Sequence, residues 1–510
     1  MRGYSGRASL RRLERLARGR PARTLPTCGH VDLRQTVIKM PPLDEGMAAS
    51  ARYHGTSRSL GFALLALIAC ARSTAETTAP SEPPAAEFSV DEKRERVENY
   101  LNGLVEQSRL RGRVLIRGPD FEMDWSSGPS LDVIPLGSLT KQFTAVAILQ
   151  LVAEGALQLD GPIAPYLPHA GPVGDATFRQ LLSHRSGLPP EIPDEFAPTR
   201  RDLYKVAEAA ADASLRSEPG TEHLYSNFGY SLLAHVVEEV SGQPWCERLA
   251  SALFQPAGMS NTSCCDRARK SVSVGHTLGP AGDLMPQPNP DFPALAGAGD
   301  VCGSAEDLIN WTHVLSADSL LPAEFRTQMR TRQAADHPYG MGVFVSSFGD
   351  RKLIQHTGAL PGLRTLYLHY PEDGVTIILL SDLAPVPLAE VEEVLSSIVF
   401  QSSYVAPSPI SLTTEPMSPE LDSRLSGNYH LAGDPSQTIL IEATESSLVI
   451  LDDGVRSELQ KLEGEQVLLI VETKETISYT LPAEGPVREL VYHTVEGWNA
   501  PFVRLDSPSQ

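Results

Sequence analysis

The chain has 510 residues and a formal charge of −20 at neutral pH. That balance argues against nucleic acid as a partner and against adsorption on anionic lipid by charge alone. The length allows two or three domains with full cores. Six cysteines carry no C-x-x-C pair, so neither a thioredoxin motif nor a zinc knuckle is indicated. Cys264 and Cys265 are neighbours, for which direct bridging is strained; one disulfide from Cys246 or Cys302 to that pair stays open.

The N-terminal stretch reads as an address. Residues 1–46 hold nine Arg and one Lys against four acids. Residues 47–70 then carry Arg52 and Arg58 ahead of an apolar run, Leu60 to Ala69. That run is shorter than the about 20 residues that cross a bilayer. Leu67-Ile68-Ala69-Cys70 resembles a bacterial lipobox. The resemblance implies export, acylation of Cys70 and a cell-envelope location on the periplasmic side, with the membrane touched only through the lipid anchor. A signal starting at Met47 makes 1–46 a disordered gene-model extension; the competing reading is an organellar transit peptide. Residues 71–88, rich in Ala, Thr, Ser, Glu and Pro, read as a disordered tether.

A globular domain is expected over 89–403. Val90 to Leu104 has helical spacing with Asp91 as N-cap. Gly112 to Arg117 and Phe121 to Trp125 read as strands. Gly137 to Gly155 opens with Ser138-Leu139-Thr140-Lys141 and continues as a helix with no polar face, which belongs inside a core. Residues three apart share a helix face, so a serine and a lysine meet on its first turn. A serine hydroxyl needs a base to become a nucleophile, and a desolvated lysine can be one. Helical and loop sequence follows to about Val314. Strand signals return at Met341 to Ser347, Lys352 to Gln355, Arg364 to His369 and Thr376 to Ser381, and a last helix spans Pro387 to Gln401. Strands at both ends and helices between predict an α+β fold: one antiparallel sheet, with the terminal helices on one face and an inserted helical region on the other.

Several blocks occur in order: Gly137 to Ala145 (GSLTKQFTA), Leu181 to Pro189 (LLSHRSGLP), Tyr225-Ser226-Asn227, Pro256 to Met259, Gly299 to Asp307, and His356-Thr357-Gly358. Together they resemble the β-lactamase and penicillin-binding-protein superfamily of serine hydrolases, on its class C, esterase and D-alanyl-peptidase side, over about residues 90–400. The resemblance implies that Ser138 forms an acyl-enzyme, that Lys141 holds the proton network, and that Tyr225 is the base and then the acid. Asn227 matches a site residue that orients Lys141 and the acyl side chain, and also suits the N-cap of the next helix; the two roles are compatible. The backbone N–H groups of Ser138 and Ala359 form the implied oxyanion hole. Thr357 and Gly358 line the substrate edge. Many members carry lysine where this chain has His356, which titrates near neutrality and weakens the case for penicillin hydrolysis.

No G-x-S-x-G elbow, P-loop or H-E-x-x-H helix occurs, and no cofactor or metal is expected. His235 with Glu238 and Glu239 reads as an exposed helix edge. Residues 404–419 read as a linker, and 420–510 as a small antiparallel β-barrel that resembles the lipocalin-like domain appended to some of these hydrolases. Its strand signals are Thr438 to Ile441, Ser447 to Leu451, Val467 to Val471, Ile477 to Leu481 and Glu489 to His493. Oligomerisation or shielding of the active-site mouth is its expected role. The expected activity is cleavage of an ester or amide, as an esterase or D-amino-acid peptidase. A true β-lactamase, a D-Ala-D-Ala carboxypeptidase, or a silent binding protein on the same fold are the alternatives.

Overall fold

A computed structural model describes residues 88–510, apart from residue 170, 193–201, 269–271, 280–281, residue 318, 402–413, residue 433, 445–446, 453–454, residue 464, 471–475, 494–498 and 506–510. The expectations for 1–46, for the signal with Cys70, for the tether up to residue 87 and for 404–413 lie outside the described residues. Among the described residues no helix is long and apolar enough to cross a membrane.

Six antiparallel strands build the central sheet, in the order Met123–Ser126, Gly112–Arg117, Val375–Ser381, Leu363–Tyr370, Arg351–Leu360, Phe344–Phe348. Both faces are covered, so the middle strands are apolar almost continuously. Alternation sorts their side chains. Val114, Ile116, Leu366, Ile377 and Leu379 enter one core with the helices Val90–Glu106 and Leu388–Phe400. Leu115, Tyr367, Ile378 and Leu380 enter the other, with the inserted helices. The expected layering holds. The first helix is capped by Ser89 rather than Asp91: Ser89 and Glu92 form a reciprocal capping box.

The central helix runs Thr140–Ala153 behind a single tight turn, Gly137–Leu139. Every residue from Thr140 to Leu149 is buried. Its polar members bond to the neighbouring chain: Thr144 donates to the Gly297 carbonyl, Thr140 accepts from Val301 N–H, and Gln142 Oε1 accepts from Trp311, while Gln142 Nε2 is buried without a partner among the described residues. The strand expected to stop at Gln355 continues to Leu360. Its polar and glycine end has no apolar alternation to announce it.

Two disulfides are present, Cys246–Cys264 and Cys265–Cys302. The adjacent cysteines each take a separate partner, which settles the pairing that the sequence left open. His235 is buried and bonds the Tyr166 carbonyl, so it is no exposed edge.

The C-terminal part is a closed barrel of eight antiparallel strands. It runs from Val455–Leu462 through Leu448–Asp452, Asp434–Ala443, Gly427–Leu431, Asn499–Arg504, Glu489–His493 and Thr476–Tyr479 to Val467–Ile470, which pairs back on the first. Residues Thr414–Glu415 form a short strand on Lys461 and Leu462, so the end of the expected linker belongs to the barrel.

Candidate active site

Ser138 sits half-buried in the tight turn, and Lys141 is fully buried one turn on. The turn rests on the strand Arg351–Leu360 so closely that two glycines are required. A Cβ on Gly358 would stand 2.2 Å from the Leu136 carbonyl oxygen, and Gly137 has φ +56° with the Ala359 N–H 3.2 Å from where its Cβ would be. Thr365 Oγ1 pins the approach by donating to the Leu136 carbonyl at 3.0 Å. The strand Phe344–Phe348 meets its neighbour over 351–355 and stops there, so the edge from His356 to Leu360 beside Ser138 has no partner strand on that side among the described residues.

Lys141 Nζ lies 3.1 Å from Ser138 Oγ, 2.6 Å from Asn227 Oδ1 and 3.0 Å from the Ala298 carbonyl. It also lies 4.8 Å from the centre of the Tyr225 ring. Burial lowers the Lys141 amine from 10.5 to about 7, against the upward pull of Glu191. An amine near 7 is partly neutral at physiological pH. Two carbonyl acceptors then take its two hydrogens and leave the lone pair for the Ser138 hydroxyl. Burial raises the Tyr225 phenol above its ordinary range, with the Ser138 side chain working against it.

The helix Asn227–Ser241 delivers Asn227. Its N-cap is Ser226, whose side chain accepts from Gly229 N–H, so the Asn227 side chain is free to meet Lys141. The Asn227 amide donates to Glu191 in turn. Glu191 is solvent-exposed as a residue, yet crowding by the protein around its carboxyl raises its pKa.

The Leu181 to Pro189 block grips the loop that carries Tyr225. The His184 carbonyl accepts from Leu224 N–H at 2.7 Å and its Nδ1 accepts from Ser226 N–H at 3.0 Å. His184 thus holds the residue on each side of Tyr225, and its ring lies 4.1 Å from the Tyr225 ring. The sequence motif contained His184 but carried no sign of that role, which depends on contacts across 40 residues of chain. Glu191 had no signal at all.

His356 is buried, with Nδ1 2.6 Å from the Thr357 carbonyl and Nε2 3.1 Å from the Tyr339 hydroxyl. These partners make Nδ1 the donor and Nε2 the acceptor of a neutral ring. Burial, with Lys141 second, lowers it to about 3, so it does not titrate near neutrality as expected from residue type.

Ser138, Lys141, Tyr225 and Asn227 therefore meet at one place, against the edge that carries His356, Thr357, Gly358 and Ala359. A hydroxyl beside a desolvated amine, a phenol and a bare strand edge is the arrangement of a serine hydrolase. The chain belongs to the Beta-lactamase family, whose model matches residues 132–395. It is 32% identical over 247 residues to PbpX of Bacillus subtilis, a penicillin-binding protein by name, covering 48% of this chain and 60% of that one. The chain thus spans less than two thirds of that curated relative. Its fold is similar to that of SurE, with TM-score 0.55 and 23% identity over 81% of this chain and 99% of that one. It is also similar to D-amino acid amidase from Ochrobactrum anthropi SV3, with TM-score 0.53 and 20% identity over 61% of this chain and 99% of that one.

Proposed function

We propose that this protein hydrolyses an ester or amide through an acyl-enzyme on Ser138, in the manner of an esterase or D-amino-acid peptidase. The observation that carries the reading is the Lys141 amine, buried, brought to about 7 and bonded to Ser138 Oγ. Lys141 takes the Ser138 proton as Oγ attacks the carbonyl carbon. The Ser138 and Ala359 N–H groups receive the oxyanion. The proton passes to the leaving group through the Tyr225 hydroxyl, and water later releases the acyl group by the reverse path. The base role expected of Tyr225 moves to Lys141, because a phenol raised by burial is a poor acceptor.

Two features support an acyl group with a free amine over one with a free carboxylate. His356, at the position where many relatives carry lysine, is neutral and turned to Tyr339. Glu191, bonded to Asn227, sets a carboxyl beside the site. The same features stand against efficient β-lactam or D-Ala-D-Ala carboxypeptidase turnover. Hydrolysis of a D-phenylalanine p-nitrophenyl ester, compared with its N-acetyl form and with nitrocefin, tests this. The free amine should be preferred, and Glu191→Gln should raise its KM on the order of tenfold. Preference for nitrocefin would overturn the reading.

We also propose acylation at Cys70, with export to the periplasmic side, and association of copies through the barrel. A mature mass beginning at a diacylglyceryl-Cys70 is expected; a tryptic peptide from 1–46 in cell extract would contradict it.

A further inference from the structure

The Ala298 carbonyl that bonds Lys141 sits in a sharp turn, and the turn is built around Asp300. Asp300 is wholly buried. Its Oδ1 accepts from Gly297 N–H at 3.1 Å, closing the turn that contains Ala298. Its carboxyl also accepts from Trp245 Nε1, at 3.0 Å to Oδ2 and 3.3 Å to Oδ1. Trp245 is itself fully buried. The Asp300 carbonyl accepts from Cys265 N–H at 2.8 Å. Gly297 has φ +79°, and a Cβ there would lie 2.5 Å from the Tyr230 carbonyl, so the turn has no room to shift.

The surroundings are covalently fixed. Cys246 follows Trp245 and is bridged to Cys264; Cys265, which bonds Asp300, is bridged to Cys302. Asp300 and the cysteines at 246 and 264 place their ligand atoms within 4.8 Å of one another. Those two sulfurs are joined to each other, so no thiolate is left to hold a metal. What remains is a carboxyl packed on a disulfide and tied to the backbone of a turn. On the far side, Gly297 and Ala298 present successive carbonyls to Thr144 Oγ1 and Lys141 Nζ.

We propose that Asp300 is a positioning residue for catalysis: by closing the Gly297 to Asp300 turn it aims the Ala298 carbonyl at Lys141 and so turns the amine's lone pair toward Ser138. The proposal rests on the acyl-enzyme reading above. With the turn open, Lys141 keeps Asn227 as an acceptor but loses the second, and its lone pair is no longer held on the hydroxyl.

The test measures the second-order rate of Ser138 labelling by a fluorophosphonate, and p-nitrophenyl acetate hydrolysis against pH, in the full chain. Asp300→Ala should slow labelling on the order of 10–100-fold, with KM little changed. Asp300→Asn keeps an acceptor for Gly297 N–H and should restore most of the rate, with the acid limb of the pH profile unmoved. Trp245→Phe removes one bond to the carboxyl and should slow labelling a few-fold, which keeps the proposal open to refutation if Asp300→Ala does not fold. Labelling of the three variants at the wild-type rate would overturn it, even with lowered melting temperatures, since that leaves Asp300 only a structural part. Equal loss in Asp300→Asn and Asp300→Ala with a displaced acid limb would overturn it in favour of a charge effect on Lys141. A wild type that takes no label at Ser138 would sink the acyl-enzyme reading and this inference together.

Discussion

The hydrolase domain and the C-terminal barrel both have cores of buried apolar side chains, yet they treat polar groups in opposite ways. In the barrel the described core is Leu425, Tyr429, Ile441, Ile450, Leu468, Ile477 and similar side chains, and Ser457 is its one buried polar residue among those described. In the hydrolase domain Thr140, Lys141, Gln142, Thr144, His184, Asp300 and His356 are all buried, and most lie around the start of one helix. Burying a polar group costs free energy unless it is bonded, and each of these makes at least one bond, although the Nε2 atoms of Gln142 and His184 have no partner among the described residues. The difference teaches where chemistry resides. A core that serves only stability, as in the barrel, excludes such groups. The hydrolase core collects them, and the collection shifts their proton affinities toward use.

The contrast can be attacked from the site outward. Ser138→Ala or Lys141→Ala should lower kcat on p-nitrophenyl acetate by on the order of 10⁴ or more, because each removes a member of one unit. Tyr225→Phe should cost about 10²–10⁴ in kcat; a mild effect would shift the whole proton path to Lys141. His184→Phe keeps the ring but loses the Nδ1 acceptor for Ser226 N–H, and should slow turnover on the order of 10-fold. Wild-type kcat in that variant would show that the Tyr225 loop needs no such anchor.

A second set of effects concerns stability. His356 sits at about 3 and His184 is lowered well below its ordinary 6.5, both chiefly by burial. The unfolded chain protonates both near 6.5 while the folded chain does not, so stability is full above 6.5 and declines as the pH falls toward 3. Melting temperature followed from pH 7 to 4 should drop, and His356→Gln should flatten the slope. In the barrel, Ile441→Ala should cost about 2–5 kcal/mol of that domain's stability, with the rate of Ser138 labelling unchanged. A matching loss of labelling would mean that barrel and site act as one unit.

What the sequence made legible follows the range of the interactions. Ser138 and Lys141 are three residues apart on a run without a polar face, and their pairing could be read directly. The layered sheet could be read from its apolar strands. Tyr225 and Asn227 rested on a motif, and the N-cap role open to Asn227 falls to Ser226. Asp300, Glu191 and the anchoring role of His184 were out of reach, because each acts through contacts between segments far apart in the chain. The pairing of the cysteines stayed open because adjacent cysteines were treated as rivals for one partner. The strand end from His356 to Ala359 was legible only through the motif, because Thr357, Gly358 and Ala359 carry no strand pattern; the close approach of Gly137 explains why they cannot.

The measurement that bears most directly on the central claim is the pH dependence of Ser138 labelling by a fluorophosphonate in the wild type and in Lys141→Met. A buried amine at about 7 acting as the base predicts a rate that rises with pH through a single ionisation near 7, reaches a plateau above it, and loses that step in the variant. A step that persists without Lys141, or a rate already flat from pH 5 to 9, would contradict it.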